Sequence, residues 1–335
     1  MRWGCVIALF VLLGCNKSEW RPEDRTYNAE VPVGFPPLSI PDDNALTDFR
    51  VLLGKQLFFD TRISGDGTVS CGSCHKPEFA FADNQAVSPG VEGRIGFRNA
   101  PSLANVGYQE KLFMDGGVPT LELQVLAPFD NHAEMDLSIT KAIEMMRNDE
   151  HINALAQFAY GREMDAFVFT RSIAAFERTL LSGNSPYDRF LRGDSSALSP
   201  DAIAGMELFF GQRMACGSCH TGFLLTDQSY SNIGLYEEYA DVGLQRVTTL
   251  PSDNGKFKVP SLRNVALTAP YMHDDSRMLL QQVIEHYNSG GKNHPVKDER
   301  IRPLLMSMEE KMQLLAFLEG LTDIGFTENQ AFQPE

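Results

Sequence analysis

The chain has no cysteine to spare for a disulfide. Of its six cysteines, four belong to two Cys-x-x-Cys-His motifs, and Cys5 and Cys15 fall within the first fifteen residues, so no structural bridge is expected. Tryptophan is equally scarce: the two present, Trp3 and Trp20, both stand near the N-terminus. Positive charge is short, with 29 Lys and Arg against 44 Asp and Glu and a net charge of −15. That balance excludes nucleic acid as a partner, since binding it needs a basic footprint. It is compatible with docking a basic protein, although many acidic proteins are merely soluble. Apolar runs are short too: the longest, residues 6–13, cannot span a bilayer as a helix. Low-complexity tracts are absent, and 43% hydrophobic content over 335 residues suggests one to three ordered domains.

What is present begins with a processing signal. Arg2 and the apolar stretch lead to Leu12-Leu13-Gly14-Cys15, which resembles a bacterial lipobox, where the cysteine is lipidated and becomes the new N-terminus. An ordinary secretion leader cut near the same point is the alternative. Residues 1–15 are read as a lipoprotein signal peptide and 16–41, polar and Pro-rich, as a tether. A diacylglyceryl anchor on Cys15 would hold the protein to a bacterial membrane on the periplasmic side.

The chemistry lies in Cys71-Gly-Ser-Cys74-His75 and Cys216-Gly-Ser-Cys219-His220. Two thiols three residues apart add across the vinyl groups of a porphyrin, and the following histidine binds the iron. At this composition about 0.002 such motifs are expected by chance. Zinc is the rival for Cys-x-x-Cys pairs, but it does not require a histidine directly after the second cysteine in both copies. Two covalently bound haem c groups are implied, with Cys71, Cys74, Cys216 and Cys219 as attachment points and His75 and His220 as proximal ligands.

The surroundings of the motifs repeat. Leu57-Phe58-Phe59 and Leu208-Phe209-Phe210 precede them; Pro101-Ser102-Leu103-Ala104-Asn105-Val106 and Pro260-Ser261-Leu262-Arg263-Asn264-Val265 come after. Phe113-Met114-Asp115 is echoed by Tyr271-Met272-His273-Asp274, and residues 121–125 by 279–283. The expected fold is mainly α, with two tandem cytochrome c-like haem domains (42–185 and 198–335) and long haem-edge loops. Helices are predicted over 138–160 and 165–181, after Ser199-Pro200, and after a capping box at Ser307–Glu310. A turn region is expected at 183–199 and a haem-edge loop over 226–259. Most Met and Phe in the helices read as core. On the distal side the repeat is uneven: the segment after Leu279 offers His286-Tyr287, whereas that after Leu121 offers Pro128-Phe129. One closed and one open haem are implied.

Residues 45–320 resemble the bacterial di-haem cytochrome c peroxidase and MauG family. The blocks that carry the resemblance include Phe58-Phe59-Asp60-Thr61-Arg62, Ser64-Gly65-Asp66-Gly67, both CGSCH motifs, Arg98-Asn99-Ala100-Pro101-Ser102-Leu103, Phe113-Met114-Asp115-Gly116, Glu134-Met135 and Phe257-Lys258-Val259-Pro260. The resemblance implies a peroxide site at the N-terminal haem, with Glu134 as acid/base, Gln124 orienting the peroxide and Pro128 between them. Without it, Glu134 reads as a surface charge. Classical members carry a distal histidine on the loop matching residues 83–98; here Val91 or Glu92 stands in that region, which implies a five-coordinate first haem. His132 is a nearby substitute. Where classical members place a methionine on the second haem, the register gives Tyr287, as in the MauG-like branch; His286, Met272 and Met278 are rivals. Met114 replaces a tryptophan often found between the haems. A calcium ion is implied at Asn99, Thr268 and Pro270, oxygen donors of the kind calcium prefers.

The expected function is a periplasmic di-haem peroxidase. It would react with hydrogen peroxide at the N-terminal haem, share oxidising equivalents with the His220/Tyr287 haem, and oxidise an electron-donor or substrate protein. The alternatives are peroxide detoxification fed by a small cytochrome c or cupredoxin, and a plain electron-transfer cytochrome with two six-coordinate haems.

Overall fold

Two helix crossings carry the fold, and they are built alike. In the computed structural model, which describes residues 23–334, helix Asp48–Phe59 begins at Thr47, whose side chain accepts from the Arg50 N–H. It packs along helix Ala166–Arg178, capped by Asp165. Gly54 stands at their contact: a Cβ there would lie 1.8 Å from the Ser172 carbonyl oxygen. In the second half, helix Pro200–Phe210 starts with Ser199 as cap and Pro200 in its first turn, and packs along helix Met308–Glu319. Gly205 occupies the matching place, 1.9 Å from the Gln313 carbonyl oxygen to a notional Cβ. The repeat in the sequence is therefore also a repeat of backbone approach.

Each pair builds its own core. The first buries Leu57, Phe58, Phe81, Phe129, Phe169 and Phe176 among others; the second buries Phe209, Ile284, Leu314 and Phe317. The clusters part between Leu180 and Tyr187. Two asparagines with left-handed backbone, Asn105 (φ 61°) and Asn264 (φ 61°), tie equivalent segments. Asn105 exchanges hydrogen bonds with Ser182, and Asn264 accepts from the Asp323 N–H while donating to Ser182 Oγ. The C-terminal segment, which the sequence assigned to the second domain, packs Phe326 and Phe332 into the first core beside Phe81, at ring separations of 5.8 and 6.4 Å. Asp323 anchors it by accepting from Ser182 Oγ and from the N–H groups of Gly183 and Asn184.

Other expectations are corrected in detail. The predicted helix over 138–160 is two helices, Ile139–Asn148 and Glu150–Tyr160, because the Asp149 side chain accepts from the His151 and Ile152 N–H groups and starts a new helix. The turn region 183–199 holds helix Pro186–Leu191, opened by a capping box between Ser185 and Asp188. The loop over 226–259 contains a two-stranded antiparallel pair, Tyr230–Ser231 with Phe257–Lys258, and the short helix Gln245–Thr248. The Lys258 N–H reaches back to the Met114 carbonyl at 2.7 Å, joining the halves.

The described part of the expected tether, residues 23–41, lies on the protein. Tyr27 and Asp48 bond to Leu46 and Arg25 across an isolated bridge, Leu38 packs on the first core, and the Phe35 ring meets Phe223 of the second half edge-on at 4.8 Å. Apolar side chains spaced between prolines give an extended strap something to bury. The leader, Cys15 and residues 16–22 lie outside the described residues. No described helix is long and apolar enough to cross a membrane.

Candidate active site

Both CxxCH motifs open onto one cavity of about 750 Å³ between the halves. Cys71, Cys74, Cys216 and Cys219 are unpaired, half-buried thiols on its wall. The glycine inside each motif lies directly against an aromatic ring. A Cβ on Gly72 would meet the Phe59 ring at 2.3 Å, and one on Gly217 the Phe210 ring at 2.6 Å. The paired Phe-Phe blocks therefore press directly on the attachment loops.

The two histidines are held by the same device. His75 Nδ1 donates to the Phe81 carbonyl at 2.8 Å, and His220 Nδ1 to the Leu225 carbonyl at 3.2 Å. Phe81 (φ 60°) and Leu225 (φ 53°) adopt left-handed backbone to turn those carbonyls inward. The repeated Pro-Ser-Leu blocks explain how: Ser102 Oγ donates to the Ala80 carbonyl and Ser261 Oγ to the Leu224 carbonyl, each at 2.6 Å. Burial lowers both histidine pKa values, so the rings stay neutral, and their Nε2 atoms remain unengaged by these bonds. A neutral imidazole with Nδ1 tied down is what an iron ligand needs. Four free thiols, two such histidines and a mostly apolar wall fit two haem c groups.

On the first side, Gln124, Pro128 and Glu134 all line the cavity. Glu134 faces the open space rather than the core, yet the surrounding walls remove enough water to raise its carboxyl pKa; the 2.6 Å bond from Asn131 Nδ2 opposes this more weakly. Its loop is fixed at several points: the Pro128 carbonyl accepts from Met135, the Glu134 carbonyl from Val91, and the Met135 carbonyl from Gly65. Val91 is buried and Glu92 exposed, and neither is among the lining residues. His132 points to solvent, bonded to Arg94 and beside Asp136, away from the cavity.

On the second side, Tyr287 lines the cavity and burial drives its phenol pKa up. His286 turns the other way, its Nε2 bonded to the Ile233 carbonyl at 3.1 Å. The rotation between successive helical residues separates the two. Met272 lines the cavity, whereas Met278 is 57% exposed outside it.

Asn99, Thr268 and Pro270 also line the wall, and Asn99 meets Pro270 there. The Asn99 amide nitrogen lies 3.3 Å from the carbonyls of Pro270 and Met272, while its oxygen is buried without a partner. Both carboxylate oxygens of nearby Asp275 are likewise buried and unpartnered, and burial raises its pKa to about 7. Orphaned oxygens and clustered carbonyls fit a hard cation.

The sequence placed Arg98, Asp115 and Lys258 in recognisable blocks but not their pairings, and Glu177 escaped it altogether. Buried Asp115 ties Arg98 to Arg246, and Arg98 also grips Asp241. Lys258 Nζ, with its pKa lowered to about 8 by burial, donates to the Lys111 carbonyl. Glu177 is buried on the cavity wall with one oxygen unpartnered, and its pKa is raised to about 8. A lone acid four residues from Ile173 on an apolar helix face was the available signal for Glu177.

Fold and site together define a di-haem c-type oxidoreductase. The family model described as di-haem cytochrome c peroxidase matches residues 49–196. The chain is 35% identical to cytochrome-c peroxidase IdrP1 of Pseudomonas sp. (strain SCT), over 86% of this chain and 84% of that protein. It is also 35% identical to the methylamine utilization protein MauG of Methylorubrum extorquens, over 84% and 80%. Among solved structures, a MauG-like protein associated with microbial copper homeostasis superposes with a TM-score of 0.87 at 34% identity, covering 92% of this chain and 99% of that one. The chain belongs to the di-haem cytochrome c peroxidase and MauG family, and is an oxidoreductase with two haem c groups.

Proposed function

We propose that this protein is a periplasmic MauG-like peroxidase that reduces hydrogen peroxide at the His75 haem and passes oxidising equivalents through the His220/Tyr287 haem to a protein partner. Cys71 and Cys74 would attach the first haem, Cys216 and Cys219 the second. The observation that carries the reading is the asymmetry of the cavity: Glu134 and Gln124 line it on the first motif's side, where His132 turns away to solvent, whereas Tyr287 lines it on the second. When bound, the haems supply an iron that accepts peroxide and a store for two oxidising equivalents.

The chain's own residues manage the protons. Glu134, as carboxylate, takes a proton from the attacking oxygen of peroxide and returns it to the leaving oxygen, so that water departs. Gln124 donates or accepts a hydrogen bond to hold the peroxide in line. Pro128 positions Glu134 through its carbonyl, which anchors Met135. Tyr287, in a wall that excludes water, closes the second site.

Stopped-flow spectra and EPR of the ferric protein with added peroxide test this reading. One high-spin and one low-spin haem, with a fast response to peroxide, are expected; two low-spin haems that ignore peroxide would refute it. The relatives named cytochrome-c peroxidase favour a second reading, peroxide removal with electrons from a small cytochrome c. Fast steady-state oxidation of reduced cytochrome c would select it. The relative associated with copper homeostasis makes a copper-handling protein the first partner to try.

Two further assignments belong to the proposal. Calcium is held by Asn99, Thr268 and Pro270, where the orphaned Asn99 oxygen supports it; chelation should then disturb the haem spectra, and calcium alone restore them. Cys15 carries a lipid anchor, supported by the lipobox-like sequence; Cys15→Ser should move the protein from the membrane to the soluble periplasmic fraction.

A further inference from the structure

A protein partner cannot enter the cavity, and electron tunnelling falls off exponentially with distance. The proposed oxidation of a partner therefore needs a route to the surface, and any such route rests on that proposal. Tyr239 lines the same cavity wall as Tyr287 and the second motif's Cys216, Cys219 and His220. Its ring stands 5.7 Å from that of Tyr236 in an edge-on contact, and 6.2 Å from His273. Tyr236 is the one exposed tyrosine among the described residues. The two tryptophans lie outside them.

The hydroxyls differ in a way that sets direction. Tyr239 donates to the amide oxygen of Asn232 at 3.2 Å, a group that takes up no proton. Tyr236 donates to the Asp274 carboxylate at 2.5 Å, and Asp274 is itself held by the Ser276 N–H. A phenol that loses an electron becomes a strong acid. It comes to rest as a neutral radical only where a base accepts its proton, and that place is Tyr236.

We propose that Tyr239 and Tyr236 form an electron relay from the second haem to the surface, with Tyr236 as the site where the partner's aromatic side chain is oxidised and Asp274 as its proton acceptor. In each event Tyr236 gives one electron inward through Tyr239 to the peroxide-oxidised haem pair and its hydroxyl proton to Asp274. The tyrosyl radical then takes one electron from a Trp or Tyr of the partner and recovers the proton. Two events complete the reduction of one peroxide, with two protons, to two waters.

The full-length holoprotein can be tested without a partner. Peroxide is added in the absence of reductant, the haem spectra are followed, and samples are examined by EPR for a tyrosyl radical and by peptide mass spectrometry for oxidised or cross-linked tyrosine. The expected result is modification concentrated on Tyr236. Tyr236→Phe should abolish it while leaving the initial spectral response to peroxide unchanged. At matched haem content, Tyr239→Phe should reduce the Tyr236 label at least tenfold, and Tyr239→Trp, which keeps a redox-active ring, should restore it. Asp274→Asn should also lower it. A normal spectral response with Tyr236 unmodified, or a Tyr236 label indifferent to Tyr239→Phe, overturns the relay alone. No spectral response to peroxide overturns the peroxidase reading and the relay with it.

Discussion

Two opposing effects act on the Glu134 carboxyl: the bond from Asn131 favours its charged form, and lost hydration disfavours it more strongly, so its pKa stands above the ordinary range. A base must be ionised to act. The rate of reaction with peroxide should therefore fall as pH drops through that raised pKa, beginning at a higher pH than an exposed glutamate would give, and stay level above it. Glu134→Gln should slow the step by about 10²–10⁴-fold and remove this pH dependence, as stopped-flow traces across a pH series would show. At the second haem, Tyr287→Phe should replace the low-spin EPR signal, whereas His286→Ala should leave it in place, because the His286 ring is engaged with Ile233. An unchanged signal in Tyr287→Phe would make Tyr287 a wall residue only. The attachment motifs were legible because their chemistry is local in sequence. The bonds that hold His75 and His220 were not, since they depend on left-handed carbonyls six and five residues away.

Among the helices, four glycines separate two kinds of constraint. Gly54 and Gly205 face the carbonyl oxygens of a neighbouring helix, which cannot give way without separating the pair. Gly72 and Gly217 face phenyl rings, which can turn. Gly205→Ala should thus destabilise the protein by about 1–3 kcal/mol or more, and clearly more than Gly217→Ala, with thermal unfolding of the holoprotein as the measure. Equal shifts in Tm would mean the crossing is looser than the backbone implies. Helix starts at Ser199 and Ser307 could be read directly, because a cap is written in adjacent residues. The break at Asp149 was hidden by apolar periodicity that runs through it, although the aspartate itself was the cue. Helix Pro186–Leu191 was passed over because its surroundings are rich in glycine and serine, yet Ser185 and Asp188 form a capping box.

Across the whole molecule, the tandem arrangement could be read from the repeated blocks, but the straps that bind the halves could not. Contacts between residues hundreds of positions apart leave no periodic trace. The C-terminal segment is the instructive case. Phe326 and Phe332 are almost fully buried against Phe81, whose carbonyl accepts the His75 Nδ1 bond. Replacing a buried phenylalanine by alanine typically costs about 3–5 kcal/mol. Phe332→Ala should therefore lower the thermal midpoint, and the damage should be local to one haem. Loosening Phe81 weakens the hold on His75, so the optical and EPR features of the first haem should shift or broaden. Those of the second should not move, because His220 is held by Leu225 of the second core, whereas Phe332 packs in the first. If both haems respond equally, the segment acts through general stability; if only the first does, it acts through the Phe81 carbonyl that holds His75.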